Sequence, residues 1–159
     1  MPPKLSKVDI QLLKLLQQDA SLTTAQLAER VNLSQSPCWR RINQLETSGV
    51  IARKVNLLDR EKLGLELVVF TTVHLDSTAS DALDAFEAAV AAIPEVVECY
   101  TVTGTIDYMM KSVTRDIRHY ERFLRDTLAQ LPGVREMHSH IAVTAIKETT
   151  ELPLDSQLD

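Results

Sequence analysis

Residues 33–51 read LSQSPCWRRINQLETSGVI, and this stretch decides the fold of the first third of the chain. Ser34 is placed to cap a helix, and Pro37 falls in the first turn, where its missing N–H costs little. Gly49 is typical of the residue just past a helix C-terminus. Apolar residues recur at i, i+4 and i+7 between these signals: Cys38, Ile42 and Leu45. The stretch predicts one amphipathic helix that ends at Gly49.

Two shorter helices are predicted before this one. Ser6 and Asp9 match a capping box with Asp in place of Glu, and apolar residues at helical spacing follow. Thr23 or Thr24 can cap a second helix through Val31, before a tight turn. Three helices with a short turn between the second and third form a helix-turn-helix unit, whose last helix enters the major groove of DNA.

The other side of the third helix carries polar side chains that can read DNA. Arg bonds guanine through two hydrogen bonds, Asn and Gln do so with adenine, and Ser contacts bases or phosphates. Residues 50–57 alternate like a short strand with two bases at its centre, which predicts a wing that touches the DNA backbone. Neighbouring arginines can instead form a solvated face, and a lone Trp can be packing. The predicted DNA contacts are Ser34, Gln35, Ser36, Trp39, Arg40, Arg41, Asn43, Gln44, Arg53 and Lys54.

Charge is divided unevenly along this chain of 159 residues, whose formal net charge is −5. Residues 1–60 hold nine Lys or Arg against five Asp or Glu, whereas residues 61–159 hold eight against 17. The basic third has the sign that attracts a polyanion, and the acidic remainder is expected to have another task.

Composition indicates a globular protein of the cytoplasm. Hydrophobic residues make up 45% and charged residues 25% of the chain. The first ten residues contain no apolar signal region, and no apolar run approaches the roughly 20 residues that span a bilayer. Cys38 and Cys99 have no metal-ligand spacing, so we expect reduced thiols and no bound metal.

The rest of the chain is predicted to form a second domain of the α+β class. Residues 58–66 break the pattern and are expected to link a domain of residues 1–57 to one of residues 67–159. Strand and helix signals then follow in the order βαββαβ, with strands expected at 67–75, 96–103, 108–113 and 134–147 and helices at 80–93 and 115–131. This is the ferredoxin-like plan, in which both helices cover one face of a four-stranded antiparallel sheet.

The second face of this sheet is also expected to be covered. Apolar residues occur on both faces of the first strand, as with Val68 and Phe70 against Val69 and Val73. A sheet face that carries apolar side chains needs a partner, and a homodimer supplies one.

Longer motifs make a family resemblance visible over nearly the whole chain. The motifs are LSQSPCWRR and LETSGVI at 33–41 and 45–51, IPEVVECYTVTGTIDY at 93–108, LPGV at 131–134, and Lys147-x-Thr149-Thr150-x-Leu152-Pro153-Leu154. They resemble the Lrp/AsnC family of leucine-responsive and feast/famine regulators. The resemblance implies a bacterial or archaeal, nucleoid-associated transcription regulator with a winged helix-turn-helix domain. It also implies a RAM/ACT-like domain that dimerises, builds tetramers or octamers, and binds an amino acid as effector, with no other cofactor.

In this family the effector lies between subunits, near the loop that joins the second and third sheet strands. A glycine there lets backbone N–H groups approach a carboxylate, and an Asp can accept from an ammonium group. Family members often carry an acidic residue straight after the glycine, whereas Thr105 stands here. The alternative is a simple hairpin turn in which Asp107 bonds its own backbone. The expected effector residues are Thr103, Gly104, Thr105, Ile106, Asp107, Tyr108 and, from a neighbouring subunit, His138 and Ser139.

Three functions compete at this point. A sequence-specific regulator switched by an amino acid explains both the basic and the acidic part. An effector-independent protein that organises the nucleoid would need only the basic part, and the departure at Thr105 keeps this alternative open. An enzyme is disfavoured, because no catalytic grouping, phosphate loop or zinc spacing is present.

Overall fold

The computed structural model describes residues 4–77 and 79–157, which form two compact units. The first unit combines the described parts of Met1–Leu57 and Lys147–Asp159, and the second unit is Leu58–Ile146. The outer ends of the two predicted domains, residues 1–3 and 158–159, lie outside the described residues, as does position 78. Within the described residues, no helix is long and apolar enough to span a membrane.

The first unit contains three helices, α1 (Lys7–Gln18), α2 (Thr24–Arg30) and α3 (Gln35–Thr47). The predicted capping box of α1 is present: the Asp9 N–H donates to Ser6 Oγ over 3.2 Å, and the Ser6 N–H donates to the Asp9 carboxylate over 2.9 Å. Thr23 is the residue that caps α2, with Gln26 as its capping-box partner. These reciprocal bonds satisfy N–H groups that have no partner inside a helix, and so they fix where α1 and α2 begin.

The turn between α2 and α3 makes this arrangement a helix-turn-helix. Asn32 has φ of +53°, a left-handed conformation that Asn tolerates better than most residues. The Leu33 N–H donates to the Ala28 carbonyl over 2.9 Å and closes the turn. The buried core between the helices includes Leu12, Leu27, Ala28, Val31, Cys38 and Ile42. The predicted helix-turn-helix is confirmed.

The predicted wing strand is wrong. Residues 50–57 are assigned to no strand. The alternating pattern of the segment fits a strand, but a strand also needs a neighbour that pairs with its N–H and C=O groups. Each strand assigned in the described residues pairs within the sheet of the second unit. Residues 52–57 are therefore an exposed segment outside any helix or strand.

The segment after residue 146 belongs to the first unit because it is bound to α1. The Gln17 amide donates to the Leu152 carbonyl over 3.1 Å and accepts from the Leu152 N–H over 3.0 Å. Lys14 forms an ion pair with Asp155, in a short 3₁₀ helix at Leu154–Gln157. We call residues 147–157 the C-terminal strap. Domain assignment from sequence had placed it with the sheet.

The second unit is a four-stranded sheet with two helices. Its elements are β1 (Leu67–Leu75), α4 (Ser80–Ala91), β2 (Val96–Thr101), β3 (Tyr108–Thr114), α5 (Ile117–Asp126) and β4 (Val134–Ile141). The strand order is β2-β3-β1-β4, and every neighbouring pair is antiparallel. The ferredoxin-like βαββαβ prediction is confirmed.

Several element ends differ from the prediction: β2 stops at Thr101 rather than 103, α4 at Ala91 rather than 93, and α5 at Asp126 rather than 131. At two further ends a hydrogen bond marks the boundary. β4 stops at Ile141 rather than at residue 147, because β1 begins at Leu67 and the last bond between them joins the Ala142 N–H to the Val68 carbonyl. α5 starts two residues later than predicted, because the Asp116 side chain caps it by accepting from the His119 N–H over 2.8 Å. In both places a specific hydrogen bond decides the boundary.

The sheet has one covered face and one open face. Side chains of α4 and α5, such as Phe86 and Tyr120, pack with Val69 and Val73 in a single buried cluster. The opposite face, which we call the open face, carries Phe70, Tyr100, Met109, His138 and His140. Neither helix of the second unit packs in the buried cluster on this side, and Phe70 is 39% exposed.

Candidate functional site

The exposed side of α3 carries most of the predicted DNA contacts. Spacing of three and four residues places Ser36, Trp39, Arg40 and Asn43 in one stripe along the helix. Trp39 is 59% exposed, so it is not a core residue. Ser34 caps the helix without a side-chain bond, which leaves its hydroxyl unused by the cap. On this helix and at its N-cap, the exposed members of the predicted set are Ser34, Gln35, Ser36, Trp39, Arg40, Asn43 and Gln44.

Arg41 has a different position from its neighbour. Its guanidinium donates to Asp9 Oδ1 over 2.9 Å and to Ser6 Oγ over 3.3 Å. Both acceptors belong to the capping box of α1, so Arg41 ties α3 to the start of α1. These bonds also affect the carboxylate: burial raises the pKa of Asp9, but the bonds from Ser6 and Arg41 outweigh burial and leave it below its usual value.

The bases of the predicted wing are on the surface. Arg53 is exposed, and Lys54 forms an ion pair of 2.5 Å with Glu46 of α3. Surface ion pairs of this kind contribute little free energy and are easily exchanged, so the Lys54 charge is still accessible to a phosphate.

The predicted effector loop joins β2 to β3 and is fixed at its base. The Val102 N–H donates to the Asp107 carbonyl over 3.1 Å, and the Asp107 N–H donates to the Val73 carbonyl over 3.0 Å. Asp107 Oδ2 accepts from the Leu75 N–H over 2.9 Å. One carboxylate oxygen of Asp107 thus holds the loop against β1, a contact that the sequence did not predict.

The middle of the loop, residues 103–106, differs from its base in the hydrogen bonding of its backbone N–H groups. Gly104 has φ of +120°, a conformation that side chains rarely adopt. Among the described residues, no acceptor takes the backbone N–H of residues 103–106. Consecutive unpaired N–H groups around a turn form a concavity that attracts anions. The loop therefore presents a surface suited to a carboxylate.

A cavity of about 310 Å³ lies beside this loop, between α4 and the sheet edge. Thr101 and Tyr108 pair across β2 and β3 at the base of the loop and also line the cavity. The Tyr108 hydroxyl donates to Glu87 Oε1 over 2.8 Å. Burial, together with this bond and the Glu87 charge, raises the pKa of Tyr108 to about 12. The remaining lining residues are Val90, Ala91 and Cys99.

Sequence analysis missed Glu87 and Cys99 at this cavity. The helical and strand periods show which residues face the core, but Glu87 and Tyr108 are 21 positions apart. Only the packing of α4 against the sheet brings them together. Tyr108 was predicted as an effector residue, but its ring is buried under α4 rather than in the open part of the loop.

His138 and Ser139 lie away from this loop within one chain, because β1 separates β4 from β3. Ser139 Oγ is 2.6 Å from the hydroxyl of Tyr120 on the covered face. His138 lies on the open face, with its Nε2 atom 3.1 Å from Glu136. The two neighbours thus point to opposite sides of the sheet, and only His138 lies on the open face.

Comparison with known proteins connects both units to one family. Residues 5–52 match the family model described as winged helix-turn-helix DNA-binding, and residues 68–152 match the Lrp/AsnC ligand binding domain. The chain is 38% identical to the DNA-binding transcriptional activator DecR of Escherichia coli K12 over 151 residues, which cover 95% of this chain and 99% of that protein. It is also 38% identical to the glutamate uptake regulatory protein of Zymomonas mobilis over 156 residues, 98% of this chain and 94% of that protein.

Solved structures agree with these sequence matches. A transcriptional regulator of Neisseria meningitidis, solved as a complex with L-Met, has a TM-score of 0.91 and 39% identity, with coverage of 96% of this chain and 98% of that one. An AsnC family regulator of Agrobacterium tumefaciens has a TM-score of 0.92 and 40% identity, with coverage of 96% and 99%. The chain belongs to the Lrp/AsnC family of DNA-binding transcriptional regulators.

Proposed function

We propose that this regulator binds a specific operator through α3 and that a small amino acid bound at residues 103–108 changes its affinity for DNA. The observation that carries the effector part is the run of unpaired backbone N–H groups at residues 103–106 beside a cavity. An amino-acid carboxylate satisfies such groups. The Neisseria relative bound to L-Met supports a ligand of this class.

The DNA part of the proposal assigns base reading to the exposed stripe of α3. Arg40 and Asn43 are suited to guanine and adenine, and Ser34 and the helix N-terminus are suited to phosphate. Arg53 and Lys54 are assigned to the backbone beside the groove. Arg41 is assigned a positioning role, since its guanidinium is bound to α1.

The active species is proposed to be a homodimer, joined through the open face. Phe70, Tyr100 and Met109 leave apolar surface on this face, and a second copy of the same sheet can cover it. A two-fold dimer matches an operator of two half-sites that are one helical turn or a multiple apart. Assembly of dimers into tetramers or octamers, an effector held between subunits and location at the nucleoid complete the proposal.

The test measures DNA binding with and without amino acids. A duplex selected from a random pool and its scrambled version are compared by fluorescence anisotropy at about 0.15 M salt, with each of the twenty amino acids in turn. The selected duplex is expected to bind at least about 10³-fold more tightly than the scrambled one. Arg40→Ala is expected to lose about 1–3 kcal/mol of that preference, as removal of a base contact does.

Arg118→Ala is the matched control, because Arg118 is an exposed arginine on α5 of the other unit. It is expected to leave the preference unchanged. Equal affinity for the two duplexes, with no response to an amino acid, would instead favour the effector-independent nucleoid organiser.

A further inference from the structure

We infer that the homodimer of the proposed function dissociates as the pH falls below about 6.5, because histidines on the open face then become charged inside the interface. The inference rests on the proposed function, which assigns the open face to a second copy of the chain. It adds a second signal, the proton, which acts on assembly rather than on the effector loop.

Histidine is concentrated on the open face. Val69 and Val73 of β1 are buried under the helices, so alternation along the strand places residues 70, 72 and 74 on the opposite face. Their partners on β4 are residues 140, 138 and 136. Three of the four histidines in the chain, His74, His138 and His140, therefore lie on this face.

His74 and His138 share one carboxylate. The Nε2 atom of His138 is 3.1 Å from Glu136 Oε1, and Glu136 is the direct partner of His74 across β1 and β4. The two imidazole rings lie edge to face, with centroids 6.4 Å apart. Glu136 can offset one positive charge, so protonation of both rings leaves a net positive charge on this part of the face.

His140 lies beside the exposed apolar side chain at the middle of the face. It pairs across the strands with Phe70, which is 39% exposed. Lys111 pairs with Phe70 from the other side. No hydrogen bond or ion pair joins His140 to another of the described residues. A second copy that covers Phe70 also removes water from His140, and removal of water disfavours the charged form of an imidazole.

The other titratable and charged groups of the face are of types that ordinarily titrate outside about pH 5.5–7.5. Lys111 forms an ion pair of 3.4 Å with Glu98, its partner across β3 and β2. The Tyr100 hydroxyl donates to Glu98 over 3.1 Å, and this bond raises the pKa of Tyr100, which therefore stays neutral. Arg135 lies at the bulge of β4 next to Glu136. Histidine is therefore the residue type on this face whose charge changes in that range.

Association and protonation oppose each other. In a two-fold dimer the second copy brings the same three histidines, so the positive charges of the two faces are brought together. The separate chains therefore bind more protons than the dimer does. The dimer is complete above about pH 6.5 and is lost as the pH falls below that value. Because the proposed dimer reads two half-sites, operator affinity is expected to fall with it.

Sedimentation velocity of the full chain in a dilution series gives the dimer dissociation constant. It is measured at about pH 7.5 and at about pH 5.5, in about 0.15 M salt. We expect the constant to rise at least about tenfold at the lower pH, which is the effect of excluding one proton from one histidine over that range.

Substitutions assign the effect to the open face. The triple variant His74→Gln/His138→Gln/His140→Gln is expected to have nearly equal dissociation constants at the two pH values. His119→Gln is the matched control, because His119 lies on α5, on the other side of the sheet, and it is expected to keep the wild-type response. Glu136→Gln removes the offsetting charge and is expected to enlarge the response.

The outcomes separate this inference from the proposed dimer. A wild-type dissociation constant that is equal at the two pH values, or a pH response that persists in the triple variant, overturns the inference and leaves the dimer in place. If circular dichroism shows that the triple variant does not fold, His140→Gln alone is measured, and a full wild-type response in that variant overturns the inference. A wild-type chain that is monomeric at the higher pH overturns both the inference and the dimer.

Discussion

Arg40 and Arg41 are adjacent in sequence, but their side chains have different surroundings in the structure. Successive residues on a helix point about 100° apart, so one of the pair can face solvent while the other meets α1. Arg40 is exposed, whereas Arg41 is bonded to Ser6 and Asp9. A double replacement of both arginines would therefore mix a loss of DNA contact with a loss of stability.

Arg41→Ala is predicted to destabilise the first unit by about 1–2 kcal/mol, because Asp9 then loses a charged donor at a site where its side chain is 15% exposed. The measurement is urea unfolding followed by circular dichroism. Arg40→Ala is the control and is expected to unfold at the wild-type midpoint. An unchanged midpoint for Arg41→Ala would show that its ion pair contributes nothing.

The hydrogen bonds that Asp9 accepts from Ser6 and Arg41 also make the stability of the first unit depend on pH. The pKa of Asp9 is lower in the folded chain than in the unfolded chain, so its contribution to stability is complete above the unfolded pKa. It is lost as pH falls through the folded pKa, below about pH 4. Asp9→Asn is expected to remove this part of the acid destabilisation. An identical acid limb in the two proteins would contradict the assignment.

At the scale of elements, the open face of the sheet is the surface opposite the helices, and it keeps apolar side chains exposed. Phe70 lies in the central strand β1, between Lys111 of β3 and His140 of β4. Its ring is 39% exposed, although phenylalanine is among the residues most often buried. In the proposed homodimer a second copy of the sheet covers this residue.

Phe70→Lys is predicted to convert the dimer into monomers, because it places two like charges at the centre of the proposed interface. Light scattering coupled to size exclusion gives the mass directly. Ile117→Lys is the matched control, since Ile117 is an exposed apolar residue on α5 rather than on the open face. A wild-type protein that is monomeric at micromolar concentration would refute the dimer.

Element types followed from sequence more readily than element ends. The capping box at Ser6 and the apolar spacing of α3 are local signals, and both were predicted correctly. The wing strand was not, because pairing requires a neighbour that no local pattern reveals. The end of β4 depends on where β1 begins, 67 residues earlier in the chain than Val134. Long-range partners, rather than propensity, account for these errors.

The candidate sites show the same division. The exposed side of α3 could be predicted because helical spacing alone separates it from the core. The contact of Glu87 with Tyr108 could not be predicted, because Glu87 comes from a different element than the loop. The hydrogen bond from the Leu75 N–H to Asp107 also could not be predicted from the spacing of residues in the sequence.

At the scale of the whole molecule, the chain leaves the first unit after Leu57 and returns to it at Lys147. The C-terminal strap then occupies the side of α1 that carries Lys14 and Gln17. A side-chain amide that bonds both the N–H and the C=O of one residue, as Gln17 does at Leu152, mimics a step of β-sheet pairing. The strap is thus part of the structure of the first unit.

Gln17→Ala is predicted to release the strap and to increase amide hydrogen exchange in α1 several-fold, because two hydrogen bonds worth about 1 kcal/mol each are lost. Exchange is read by mass spectrometry on peptides that cover residues 7–18. Gln11→Ala, an exposed glutamine on the same helix, is the control. Equal exchange in the two variants would mean that the strap adds nothing to α1.

The strap also sets an order of events during synthesis. A ribosome makes residues 4–57 first, but the segment that covers α1 follows the entire sheet unit in the chain. At roughly 5–20 residues per second, about 7–27 s separate the appearance of α1 from the appearance of Leu152. During that interval the helix is present without its cover. The helices of the first unit are thus synthesised before the sheet unit, and the strap that completes the first unit is synthesised after it. A nascent chain cannot complete the first unit before the sheet unit has been made.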